Sequence, residues 1–157
     1  MRISKASFFL FLSFKLLLAQ GPIISEFMAA NHGVVWDEDR DHSDYIEIYN
    51  PTDSDISLKG WYLTDDPFFL TKWQFPDLTL KPGKYLLIFA SGKDRRDPNS
   101  ELHTNFELLS TGEYLALVAP DGETVIHAFD PYPEPVSYTH LRAHETRHDL
   151  VCRLLLE

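Results

Sequence analysis

Apolar and polar positions alternate along this chain in short bursts, separated by turn-forming residues about every 8 to 12 positions, the spacing of a β-sandwich. Across Tyr45 to Tyr49, Ile46 and Ile48 fall on one face and Tyr45, Glu47 and Tyr49 on the other, which predicts a half-buried strand. Asn50-Pro51 ends it, because proline has no N–H for a ladder and disfavours the helical region for the residue before it. Thr52 to Asp55 supply turn residues, and Ile56 and Leu58 then lead to Gly60-Trp61. The stretch from Asp44 to Asp66 is therefore expected to form a hairpin anchored by the Trp61 indole. Further strands are predicted at Ile23 to Met28, at Lys72 to Phe75 before Pro76, and at Tyr85 to Ala90. The last is almost continuously apolar, so it reads as a central strand covered on both faces. Leu80-Lys81-Pro82-Gly83 reads as a turn with glycine where positive φ is needed, and Pro120-Asp121-Gly122 as the tip of a hairpin between Tyr114 to Val118 and Thr124 to Phe129. No helix of useful length is expected before residue 137.

The same residues carry a resemblance. Tyr45-Ile46-Glu47-Ile48-Tyr49-Asn50-Pro51, followed by Leu58-Lys59-Gly60-Trp61-Tyr62-Leu63-Thr64-Asp65, resembles the lamin-tail domain of bacterial secreted and surface proteins. Ile24 to Asn31, Lys72 to Pro76, Leu80 to Tyr85, Asn105 to Leu108 and Gly112-Glu113 extend the match over roughly residues 23 to 130. The resemblance implies an all-β, immunoglobulin-like β-sandwich, a fold that hosts many functions. It also implies a module that sits among other extracellular domains.

The two ends differ from this pattern. Arg2 and Lys5, the apolar run from Ala6 to Leu18, and Ala19-Gln20-Gly21 read as a secretory signal peptide over residues 1–21, with an uncleaved anchor as the alternative. A run of about 13 residues is short for a membrane span, which needs about 20, so no stable span is expected after cleavage. The expected destination is the cell surface or the surrounding medium. Residues 22–135 form the expected domain. The tail 136–157 departs abruptly in composition and resembles a translated sequencing-adapter tail at the end of a gene fragment. On that reading it is non-native and the natural protein continues beyond Pro135. His140, His144 and His148 recur every four residues, so a native helix with zinc-ligating imidazoles is the competing reading.

Charge narrows the partners. Residues 22–135 hold 8 basic and 21 acidic side chains, a formal net charge of −13. Such a surface repels phosphate backbones, and its one basic cluster, Lys93 to Arg96, is interrupted by Asp94 and followed by Asp97, so no nucleic-acid partner is expected. The lone Cys152 lies in the tail, which leaves the domain to be held by its core alone.

Candidate chemistry is sparse. Asp37, Asp39 and Asp41, with Glu38 and Asp44 beside them, make the densest carboxylate cluster, and alternate aspartates in a loop suit calcium. The pattern departs from an EF-hand loop, with His42 at the sixth position and Ile48 at the twelfth, so a solvated acidic loop is the alternative. Calcium at Asp37, Asp39 and Asp41 is the only cofactor expected. No nucleophile elbow is present, and His32, His42, His103 and His127 have no context that marks a base, so each reads as a surface or strand residue. Asp65 and Asp66 precede Pro67 and read as turn residues rather than paired catalytic carboxylates. Trp61 and Trp73 are expected in the core, whereas Trp36, beside the acidic loop, is free to face a ligand. The expected function is a secreted non-catalytic module that binds, adheres or organises domains, its partner an extracellular protein or carbohydrate. The alternatives are an accessory domain of an enzyme encoded downstream and a cation-assisted carbohydrate binder.

Overall fold

Ile46 and Ile48 are fully buried, so the alternation across Tyr45 to Tyr49 builds the strand it predicts, β2 (Asp44–Tyr49). The computed structural model describes residues 21–130 and, by backbone alone, the short strands at 141–142 and 153–154. Residues 1–20 of the expected leader and the tail residues His140, His144, His148 and Cys152 lie outside them. The described strands are β1 (Ile23–Met28), β2, β3 (Ile56–Ser57), β4 (Tyr62–Thr64), β5 (Trp73–Gln74), β6 (Thr79–Leu80), β7 (Tyr85–Ala90), β8 (Leu102–His103), β9 (Leu115–Val118), β10 (Val125–Phe129), β11 (Leu141–Arg142) and β12 (Arg153–Leu154). No helix occurs among the described residues.

The strands form an all-β, immunoglobulin-like sandwich. One sheet has the order β12-β11-β1-β2-β7-β8, a second the order β10-β9-β4-β5, and β3 and β6 pair separately. Ile24, Phe27, Ile46, Ile48 and Ile88 of the first sheet meet Leu63, Trp73, Leu115, Leu117 and Phe129 of the second in one core. Phe27 packs edge-on against Phe129 with ring centroids 5.0 Å apart, the geometry that the ring quadrupoles favour. Ile24 and Phe27 are three residues apart yet share the core face, because the β1–β2 register shifts between Ile24 and Glu26 and leaves Ser25 as the extra residue of a bulge.

The expected hairpin across Asp44 to Asp66 does not form. β2 pairs with β1 and β7, while β3 pairs with β6 and β4 with β5 and β9, so the chain crosses from one sheet to the other. The fully buried Asn50 directs that crossing. Its Nδ2 donates to the carbonyls of Ser54 at 2.8 Å and Leu80 at 2.9 Å, and its Oδ1 accepts from the Thr52 N–H at 2.9 Å. Its backbone meets the 81–84 turn, where Gly83 has φ +65° and donates to the Asn50 carbonyl at 2.9 Å. A side chain that satisfies three backbone groups from within the interior replaces the ladder a hairpin would have supplied. The expected hairpin at Pro120-Asp121-Gly122 does form, between β9 and β10.

β7 is only half as covered as its apolar run suggests. Ile88, Phe89 and Ala90 are buried, but Tyr85 and Leu87 are exposed. The difference comes from the loop between β1 and β2, whose Val35 packs with Met28, Tyr45 and Phe89 over one end of the outer sheet face.

Candidate binding site at the Lys93 knot and the Trp36 loop

Local hydrogen bonding shapes the loop 29–43 before any distant residue reaches it. Asp44 Oδ1 accepts the N–H groups of Ala30 at 2.8 Å and Asn31 at 2.9 Å. Asn31 Nδ2 donates to the carbonyls of Val35 at 2.7 Å and Ser43 at 2.9 Å, closing the loop across its base. Asp37 then organises the tip, because its Oδ1 accepts the N–H groups of Asp39 at 3.0 Å and Asp41 at 2.9 Å. Arg40 adopts φ +65° in the resulting turn.

This folding brings Asp37, Asp39 and Asp41 together, with a carboxylate oxygen of each within 4.8 Å of the others. A cationic group lies among them. Lys93 Nζ stands 2.6 Å from Asp37 Oδ2, 2.8 Å from Asp39 Oδ2 and 2.9 Å from Asp41 Oδ2. An ammonium has three N–H donors, and here each has its own carboxylate. Arg95 adds a second cation, with NH1 at 2.7 Å from Glu38 Oε1 and NH2 at 2.7 Å from Asp39 Oδ2. The Asp37 side chain is buried, and burial alone would push its carboxyl up. The Lys93 ammonium, the Asp41 N–H and the Ser43 hydroxyl outweigh that and hold it well below the usual carboxylate range. Burial likewise opposes the charge on Lys93, and the three carboxylates raise its pKa regardless. A calcium ion that used all three aspartates would have to displace this ammonium.

Along the sequence Lys93 belongs only to the interrupted basic cluster Lys93 to Arg96. It lies 52 to 56 residues from the three aspartates, beyond any local periodicity.

The tryptophans divide as expected. Trp73 is fully buried and Trp61 packs partly buried against the core, whereas Trp36 is 58% exposed. Trp36 lies one residue before Asp37, and its ring rests on His42 with centroids 3.9 Å apart. An exposed indole is thus held on a loop whose base is tied by Asn31 and whose tip is tied by Lys93. Asp65 forms an ion pair with Lys72 at 2.5 Å, and Asp66 Oδ1 accepts the Phe68 N–H at 2.8 Å, so the two carboxylates serve the turn.

His103 is fully buried in β8, with Nδ1 2.8 Å from Ser91 Oγ and its ring stacked on Phe89 at 5.3 Å. That separation is the reach of a nucleophile and its base. His103 Nε2, however, is buried without a hydrogen-bond partner among the described residues, so no acceptor there orients the ring as the third group of a catalytic set would. Burial, with Lys93 and Arg95 nearby, lowers its pKa and keeps it neutral. His127 is also lowered by burial, and its Nδ1 accepts the Ile24 N–H at 3.2 Å, which joins the two sheets at one edge.

A comparison with known protein families agrees with this architecture. No match to the chain is found among curated proteins. Residues 19–131 match the family described as Lamin Tail Domain, a span that takes in strands β1 to β10, the Asn50 crossing, the Trp36 loop and the Lys93 knot. The chain therefore belongs to the lamin tail domain family.

Proposed function

We propose that this lamin tail domain is a secreted, non-catalytic binding module of a larger extracellular protein, and that it meets a carbohydrate through the loop that carries Trp36. One observation carries the reading: a 58% exposed indole packed at a tilt against His42 and set beside a carboxylate-rich loop tip. An aromatic face gives the C–H surface of a sugar ring a flat apolar contact, and nearby carboxylates accept its hydroxyl hydrogens. Placing the aromatic on a tied loop lowers the ordering cost of binding. The leader pattern of residues 1–21 supports export, and the acidic surface argues against a nucleic-acid partner.

Affinity electrophoresis of the exported chain through gels containing soluble polysaccharides tests the ligand. Retardation by at least one polysaccharide is expected, abolished in Trp36→Ala at an unchanged melting temperature. Retardation that survives Trp36→Ala would remove this loop from the binding surface. Mass spectrometry of the same exported material tests the leader, with loss of residues up to Ala19 or Gly21 expected and an intact Met1 counting against it.

A further inference from the structure

A different part of the molecule presents a strand edge that is unpaired among the described residues. β8 runs parallel to β7 and matches it only at Ile88↔Leu102 and Phe89↔His103. The Phe89 carbonyl accepts the Thr104 N–H at 2.8 Å on that side, and alternate residues of a strand direct their backbone groups the same way. Leu87 and Tyr85 therefore also turn their N–H groups toward the β8 side, where no strand lies beside them among the described residues. The chain before β8 bends away through a turn in which the Ser100 N–H donates to the Asp97 carbonyl at 3.1 Å. Between this turn and β7 lies a groove of about 500 Å³, lined by Leu78, Leu86 and Leu87 and bordered by Pro98, Glu38 and Glu101.

We propose that this groove is a strand-acceptor site for an extended peptide of another protein that alternates apolar and basic residues. An added strand would run about 4.8 Å from β7 and exchange main-chain hydrogen bonds with Tyr85 and Leu87. Its side chains would alternate between the interior side, at Leu78 and Leu86, and the outer side, at Leu87. The sign of the charge selects the partner. Glu38 is paired with Arg95, but Glu101, which accepts the Glu38 N–H at 2.6 Å, has no cation paired with it among the described residues. The formal charge of −13 over residues 22–135 disfavours both an acidic peptide and a second copy of this chain. This edge is separate from the Trp36 indole.

The test uses the full exported chain, ¹⁵N-labelled, with a synthetic peptide of three Lys-Val repeats. The controls are three Glu-Val repeats and the Lys-Val peptide with a central proline, which cannot continue a ladder. The Lys-Val peptide is expected to slow exchange of the Leu87 and Tyr85 amides by about tenfold or more and to bind at least about tenfold more tightly than either control. Leu87→Lys, at a position 38% exposed, and Glu101→Lys are each expected to weaken binding about tenfold, while Trp36→Ala leaves it unchanged. Equal binding of the Glu-Val or proline peptide, or amide changes that map away from Tyr85 to Leu87, would overturn the proposal. Loss of binding in Trp36→Ala would do so as well, because it would move the peptide to the other surface.

Discussion

Lys93→Met is the substitution that most directly tests the knot. Methionine keeps much of the stem and removes the charge, so the loss measured is mainly electrostatic. Removing one partner of a buried ion pair costs about 3 to 5 kcal/mol when the other is left uncompensated. Asp37 would not be left bare, because the N–H groups of Asp39 and Asp41 and the Ser43 hydroxyl still reach it at 2.8 to 3.0 Å. The cost should therefore fall below the upper end of that range, at about 2 to 4 kcal/mol near neutral pH. Against a total of about 5 to 15 kcal/mol for a domain, urea denaturation resolves this clearly. The pH dependence follows from the two shifts. Asp37 is depressed in the fold, so its contribution is present above the unfolded carboxylate value of about 3.9 and lost as pH falls toward the folded value. Lys93 is raised, so its contribution is present below the unfolded value of about 10.4 and lost as pH rises through the folded one. The difference between wild type and Lys93→Met should be largest between about pH 4 and pH 10 and shrink in acid. Millimolar calcium should stabilise the methionine variant more than the wild type, since only there is the space among the three aspartates free of an ammonium. A loss below about 1 kcal/mol at neutral pH, or equal calcium responses, would refute the reasoning.

The remaining expectations concern the core and its histidines. Trp73→Ala should cost about 3 to 5 kcal/mol and Trp61→Ala less, because Trp73 is fully buried and Trp61 only partly, and the reverse order in chemical denaturation would contradict the packing. Both His103 and His127 resist protonation in the fold, so stability should fall as pH drops below the unfolded histidine value of about 6.5, and His103→Phe should flatten part of that slope in a series of melts between pH 7 and pH 5. Gly122→Ala should destabilise by about 1 to 2 kcal/mol, because φ is +74° there and an added Cβ would meet Thr71 Cγ2 at 2.9 Å, and a neutral result in thermal unfolding would show that the turn can relax.

Much of this protein was legible along the chain because its signals are local. The alternation at Ile46 and Ile48, the Lys81-Pro82-Gly83 turn and the Pro120-Asp121-Gly122 tip each depend on residues within a few positions, and each forms as expected. The order of such pieces also carried the family. Pairing between strands was less accessible. Adjacent runs such as β2 and β3 read as a hairpin, but the buried Asn50 amide sends them to different sheets by binding Leu80, 30 residues away. Period two also failed at Ile24 and Phe27, where the Ser25 bulge moves the core face by one residue. At the candidate site, the sequence placed Asp37, Asp39 and Asp41 in one loop, since turn chemistry between neighbours gathers them. Only the tertiary structure supplied Lys93, because a charge pair depends on distance in space and the segment after β7 delivers that ammonium from more than 50 residues away. The same holds for the groove at Leu87: an apolar run predicts a buried strand, but whether a neighbour covers its edge is decided by where β8 bends away.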